Sequence, residues 1–172
     1  MHSAAPSPLT MPAIREIRRD DVPNVSALAA RVWRKHYVPA IVSAEQIDYM
    51  IPRSCSEAAI LKHMDEKKQR GWLAHDGEHL AGYVVVEPKE NAAWFIDKLY
   101  VDDTRQRKGI GAALLQHIIS ALRPGELRLR VNRKNFTAIN FYFTHGFSIY
   151  ALDVLDIGSG FVMDDFLMKK VL

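Results

Sequence analysis

The chain has 172 residues and 48% hydrophobic content, and its 23 Lys and Arg against 20 Asp and Glu leave a formal charge of only +3. That length and apolar fraction suit one domain with an adequate core, and so small a charge excess gives no ground for a nucleic-acid partner. A single cysteine excludes a disulfide framework and a cysteine-based metal cluster, no segment approaches the ~20 apolar residues of a membrane span, and a reducing cytoplasm is the expected compartment.

Residues 1–11, with Pro6 and Pro8, have neither the charged start nor the apolar centre of a signal peptide; they read as a disordered tail ahead of one domain over 12–172. Ala13–Arg18 alternates as a strand. Asp20 or Asp21 then caps a helix that runs to about Tyr37, with Pro23 in its first turn and Val25, Leu28, Val32 and Trp33 on its core face. Ser43 with Gln46 makes a capping box for a short helix around Ile47–Ile51, and Ser54 or Ser56 begins a third helix that ends at Gly71. Cys55, at that helix start, has no nearby base, which argues against a catalytic thiol. Trp72–His75 and Leu80–Glu87 form a hairpin around Asp76-Gly77, and Ala93–Val101 is the next strand.

Leu99–Leu115 joins this apolar strand to an apolar helix through a basic loop that carries Gly109 and Gly111. The first four amides of a helix have no intrahelical partner and sit at its positive end, so an anion over Gly109–Ala112 is bound by the backbone itself. The missing Cβ atoms permit close approach and positive φ, although an ordinary tight turn explains the same glycines. Glu126–Asn132 alternates as a strand, and Asn135–Phe147 reads as a short helix closed by Gly146. Phe136, Ile139 and Phe143 are its expected core face, while Asn135, Ala138 and Tyr142 lie on the neighbouring stripe, toward the loop. Arg105, Arg107, Lys108, Arg128, Arg130, Arg133 and Lys134 concentrate positive charge in this region; a solvated face accounts equally for Arg128 and Arg130.

Gln106-x-x-Gly109-x-Gly111, followed after a strand by Asn135-x-x-Ala138-x-x-x-Tyr142-x-x-x-Gly146-Phe147, resembles the GNAT acetyltransferase superfamily over roughly residues 93–150. The resemblance implies an α/β fold with a mixed, mostly antiparallel central sheet, helices on both faces and a parallel strand pair that splays apart. It implies acetyl-CoA as cosubstrate, with its pyrophosphate on Gln106, Arg107, Lys108, Gly109, Ile110, Gly111 and Ala112. The pantetheine arm would lie on the backbone of Leu99, Tyr100 and Val101, with Asn135 and Tyr142 as further contacts. The implied reaction is direct N-acetylation of a primary amine, whether a small amine, a polyamine or a peptide N-terminus, with Tyr142 as the acid serving the departing thiolate. No metal is expected.

An ammonium is not nucleophilic, so a base must first remove its proton. Asp97, a carboxylate inside the apolar run Trp94–Val101 and on the parity of Phe95 and Leu99, is the candidate, with His36, His75 and His145 behind it. Ala93 and Phe95 stand where many relatives carry a glutamate, and this keeps open an alternative: a catalytically inactive acyl-CoA-binding sensor or scaffold. Trp33 and Tyr37, with Glu45 and Asp48 nearby, are expected to line the acceptor site through cation–π contact and charge, although an amphipathic core helix explains the same residues. The sequence does not fix the oligomeric state; a homodimer is one candidate.

Overall fold

The structure is a computed structural model that describes residues 11–106 and 109–172. All but Met11 of the expected N-terminal tail therefore lies outside the described residues. The elements are β1 (Ala13–Glu16), α1 (Val22–Tyr37), α2 (Ala44–Ser54), α3 (Glu57–Glu66), β2 (Arg70–Asp76), β3 (His79–Pro88), β4 (Ala93–Val101), α4 (Ile110–Leu122), β5 (Glu126–Asn132), α5 (Phe136–Thr144), β6 (Ser148–Gly158) and β7 (Phe161–Val171). Among the described residues no helix is long and apolar enough to cross a membrane.

The helix starts follow from serine caps. Ser43 Oγ accepts the Gln46 N–H at 3.1 Å and Ser56 Oγ accepts the Ala59 N–H at 3.2 Å, each satisfying an orphan amide. The reciprocal half of the first box is absent, because the Gln46 amide donates instead to Val162 O at 3.1 Å and ties α2 to β7. Gly71 does not end α3. It lies within β2, where a Cβ would meet Ile17 Cδ1 at 2.6 Å, so close packing in the sheet rather than a helix stop requires glycine there.

Seven strands form one sheet in the order β1-β2-β3-β4-β5-β7-β6, antiparallel at every pairing except β4–β5. Alternation sends Val84, Val86, Ile96, Leu127, Leu129 and Met168 to the face covered by α4 and α5, and Leu73, Tyr83 and Val85 to the face covered by α1–α3. Burying each such side chain contributes about 1.5–3 kcal/mol. This is the mixed, mostly antiparallel α/β sheet with helices on both faces that the sequence implies.

The parallel pair is short. β4 and β5 are in register only from Ala93 opposite Glu126 to Ile96 opposite Leu129, although β4 continues to Val101 and β5 to Asn132. A bulge marks the parting: Val86 faces Ile96 and Val85 faces Lys98, so Asp97 has no partner on β3. An extra residue of this kind bends the strand and increases its twist, which carries the end of β4 away from β5. It also reverses the alternation. Trp94 and Ile96 pack with the α4–α5 core and so do Leu99 and Val101, while Tyr100 packs on the α1 side. The expected parity of Asp97 with Leu99 is thereby corrected.

A second correction concerns α5. Phe136 and Phe143 are 70% and 47% exposed, and Ile139 and Tyr142 are the buried pair, with Ala138 and Phe141 packed beside them. The helix is apolar on more than one stripe, so periodicity alone does not choose which stripe meets the sheet.

Candidate active site

The loop after β4 is anchored before it reaches the glycines. Asp102 Oδ1 accepts the Thr104 N–H at 3.0 Å and the Thr104 hydroxyl at 2.8 Å, and Oδ2 pairs with Arg31 of α1 at 2.5 Å. Burial alone would raise this carboxyl, but the Thr104 donors and the Arg31 charge prevail and hold it well below the ordinary carboxylate range. Farther along, Gln106 Nε2 lies 3.1 Å from His36 Nε2, a second tie to α1. Arg107 and Lys108 lie outside the described residues.

Gly109 is the N-cap of α4 at φ +76°, a conformation that favours glycine, and no side chain caps the helix. Nothing lies within 4 Å of a Cβ built there; one built on Gly111 would sit 3.4 Å from the Phe141 ring and 3.7 Å from Val101 Cγ2. The amides from Gly109 to Ala112 thus form a cradle without a side-chain cap among the described residues, with open space over Gly109. This donor set fits a phosphate. The outward basic residues are matched by carboxylates, Arg128 by Glu126, Arg130 by Asp153 and Arg133 by Asp164, which supports the solvated-face reading for them.

Groups from the two faces of the sheet approach each other near the parted ends of β4 and β5. Tyr142 of α5 is 7% exposed, with its ring centroid 5.3 Å from Phe141 and 5.2 Å from Phe147. Burial pushes its phenol above the ordinary tyrosine value and the nearby Tyr37 phenol adds to the effect, so its hydroxyl stays protonated at neutral pH. Burial also raises Tyr37 of α1, against hydrogen bonding to Tyr100 and Asn135, with the Asp165 charge acting in the same direction as burial. Trp33 completes the aromatic wall, 5.9 Å from Tyr37 and 6.4 Å edge-on from Tyr100. Asn135 is the N-cap of α5 rather than a residue of its helical stripe: its Oδ1 accepts the Ala138 N–H at 3.2 Å.

Asp97 lies elsewhere. Its carboxylate is ion-paired with buried Lys98 and accepts from Gln69 Nε2 at 3.3 Å. Burial raises it, but Lys98 with the more distant Lys67 and His63 leaves it below its ordinary value, which makes a weak base. We expect Asp97→Asn to melt earlier than the parent by about 1–3 kcal/mol at pH 7, because Lys98 keeps a buried charge without its partner. A carboxyl lowered by folding stabilises fully above its unfolded pKa of about 4, and the difference should shrink as pH falls below that value through the lower folded one. Melting curves from pH 7 down to below pH 4 check this, and the pH–rate profile should keep its shape.

Of the alternative bases, His36 sits against Gln106, His75 is in β2 with its pKa lowered by burial, and His145 is the C-cap of α5 with Nδ1 2.7 Å from Phe141 O. Cys55 is fully buried, and burial pushes its thiol up to about 12, so no thiolate is present at neutral pH. Sequence reading missed Asp165 of β7. It is 1% exposed and lies opposite Asn132 of β5; its Oδ1 makes no hydrogen bond among the described residues. Two adjacent aspartates within the apolar run Phe161–Leu167 were the available signal.

A family model described as an acetyltransferase (GNAT) domain matches residues 67–149, from just before β2 to the start of β6. The peptidyl-lysine N-acetyltransferase YiaC of Escherichia coli is 30% identical over 139 residues, covering 79% of this chain and 83% of YiaC. An uncharacterized N-acetyltransferase of Mycobacterium tuberculosis is 26% identical over 155 residues, 88% of this chain and 98% of that protein. Among solved structures, the PaiA N-acetyltransferase of Thermoplasma acidophilum in complex with coenzyme A shares the fold at a TM-score of 0.79 and 23% identity, covering 95% of this chain and 100% of PaiA. The chain belongs to the GNAT superfamily and is an acetyl-CoA-dependent N-acetyltransferase.

Proposed function

We propose that this protein transfers the acetyl group directly to a primary amine held between α1 and the parted ends of β4 and β5. The observation that carries this reading is the loss of β4–β5 pairing beyond Ile96 and Leu129, beside the aromatic wall that Trp33 and Tyr37 of α1 form with Tyr100 of β4. The uncapped amides of Gly109–Ala112, beside Gln106, support a pyrophosphate site there. Backbone groups of Leu99, Tyr100 and Val101 have no strand on their β5 side, which supports a place for the pantetheine arm. When bound, acetyl-CoA supplies an acetyl group activated as a thioester.

The chain's own residues then divide the work. Trp33 and Tyr37 offer an aromatic wall to a cationic acceptor, through cation–π attraction and exclusion of water. The Tyr142 hydroxyl, kept protonated by burial, serves as the acid for the departing sulfur. A small amine, a polyamine and a peptide N-terminus all suit this reading, and the name of YiaC adds a lysine side chain to the set. Release of free CoA should be followed with acetyl-CoA and, separately, spermidine, an alanine-terminated peptide and an N-terminally blocked lysine peptide. At least one amine should give acceptor-dependent thiol release and a product heavier by one acetyl group. Binding of acetyl-CoA without release on any of them would favour the sensor reading instead.

A further inference from the structure

Building on that reading, we propose that Asp165 is a catalytic residue: its carboxylate receives the acceptor's ammonium and removes the proton before attack. The carboxylate is almost wholly buried, yet among the described residues Oδ1 has no hydrogen-bond partner, and the closest ion-pair contact of Oδ2 is Arg130 Nε, at 3.8 Å. A buried carboxylate oxygen left without a partner is costly, so its presence calls for a role. Its position supplies one. Asp165 is paired in register with Asn132, at the end of β5 that β4 has left, and its charge acts on Tyr37. At the start of the same strand, Gln46 of α2 donates to Val162 O, which ties α2 to β7.

The charged and titratable groups around it are Arg130 of β5, Asp153 of β6, Asp164 of β7 and Tyr37 of α1. Burial raises the Asp165 carboxyl to about 6, opposed by Arg130 and by the Asn132 amide and reinforced by Asp153 and Asp164. Arg130 is already engaged by Asp153, which weakens its hold on Asp165. The same low-dielectric surroundings disfavour the charged form of a bound ammonium, which offsets part of the rise that pairing with the carboxylate gives it.

The balance closes without a further reactant. An ammonium N–H bond breaks and an O–H bond forms on Asp165, which passes that proton to solvent. The freed nitrogen lone pair forms the N–C bond as the C–S bond breaks. The second proton lost by nitrogen offsets the one that the Tyr142 hydroxyl gives to sulfur.

Asp165→Asn keeps the shape and removes the proton acceptor. A carboxyl raised by folding contributes stability below its unfolded pKa of about 4 and loses it as pH rises through 6, so the variant should melt at or above the parent at pH 8. With the amine from the panel that gives the fastest release, parent kcat/KM should fall below an apparent pKa near 6. The variant should lose this limb and on the order of a hundredfold in rate, while its acetyl-CoA thermal shift is retained. A wild-type rate and limb in a folded variant would defeat Asp165 alone. No turnover with any amine would defeat the acetyl-transfer reading and the proton-transfer role with it. Should the variant not fold, carbon-13 titration of Asp165 in the parent decides: the proposal requires a midpoint near 6 that n-butylammonium lowers, and an ordinary midpoint unmoved by that probe overturns it.

Discussion

Tyr142→Phe should lower turnover about a hundredfold, near 2.7 kcal/mol of barrier, and leave acetyl-CoA affinity within a few-fold. The ring packs between Phe141 and Phe147 and belongs to the main core cluster, so the phenylalanine ring keeps that packing and the melting temperature should hardly change. What disappears is one hydroxyl whose proton is held by burial at any pH the enzyme meets. Steady-state kinetics beside a thermal shift with acetyl-CoA separate chemistry from binding. Parent-like turnover in the variant would leave Tyr142 as a packing residue.

Gly111→Asp should abolish acetyl-CoA binding while the fold survives. A ligand at a hundred times its Kd stabilises the native state by about 2.7 kcal/mol, which for a domain of this size is a melting shift of roughly 5–10 °C. Gly111 is the second residue of α4, where an aspartate complements the helix dipole, and its Cβ would make ordinary contacts with Phe141 and Val101. The added Cβ therefore brings no packing defect, while the carboxylate brings a negative charge beside the amides that a phosphate needs. The apo variant should melt close to the parent and show no shift on adding acetyl-CoA. A parent-like shift would remove the pyrophosphate from this loop.

Features fixed by local chemistry were the ones legible in the chain. The span of β4, the serine caps at Ser43 and Ser56, the glycines ahead of α4 and the spacing of Asn135 and Tyr142 all depend on neighbours within a few residues. The bulge at Asp97 does not, because it is defined by how Val85 and Val86 meet β4 across the sheet, and one extra residue there reverses every side chain after it. That reversal is why Asp97 looked aligned with Leu99 and instead meets Lys98 and Gln69. Gly71 read as a helix stop for a similar reason: the demand on it comes from Ile17 and Val84, remote in sequence. Asp165 escaped notice because its setting is assembled from β5, β6, β7 and α1, with α2 above. Nothing within its own strand announces that Asn132 lies opposite it or that one of its oxygens has no partner.

On the proposed mechanism, acetyl-CoA meets the amine at the parted ends of β4 and β5. A crystal structure of the protein with coenzyme A tests it most directly. Pyrophosphate density is expected within hydrogen-bonding distance of the Gly109–Ala112 amides, the pantetheine arm along Leu99–Val101 beyond Ile96, and the sulfur at the gap between Tyr142 and the wall formed by Tyr37. Coenzyme A bound elsewhere, or β4 and β5 paired through to Val101 and Asn132 with the cofactor present, would contradict it.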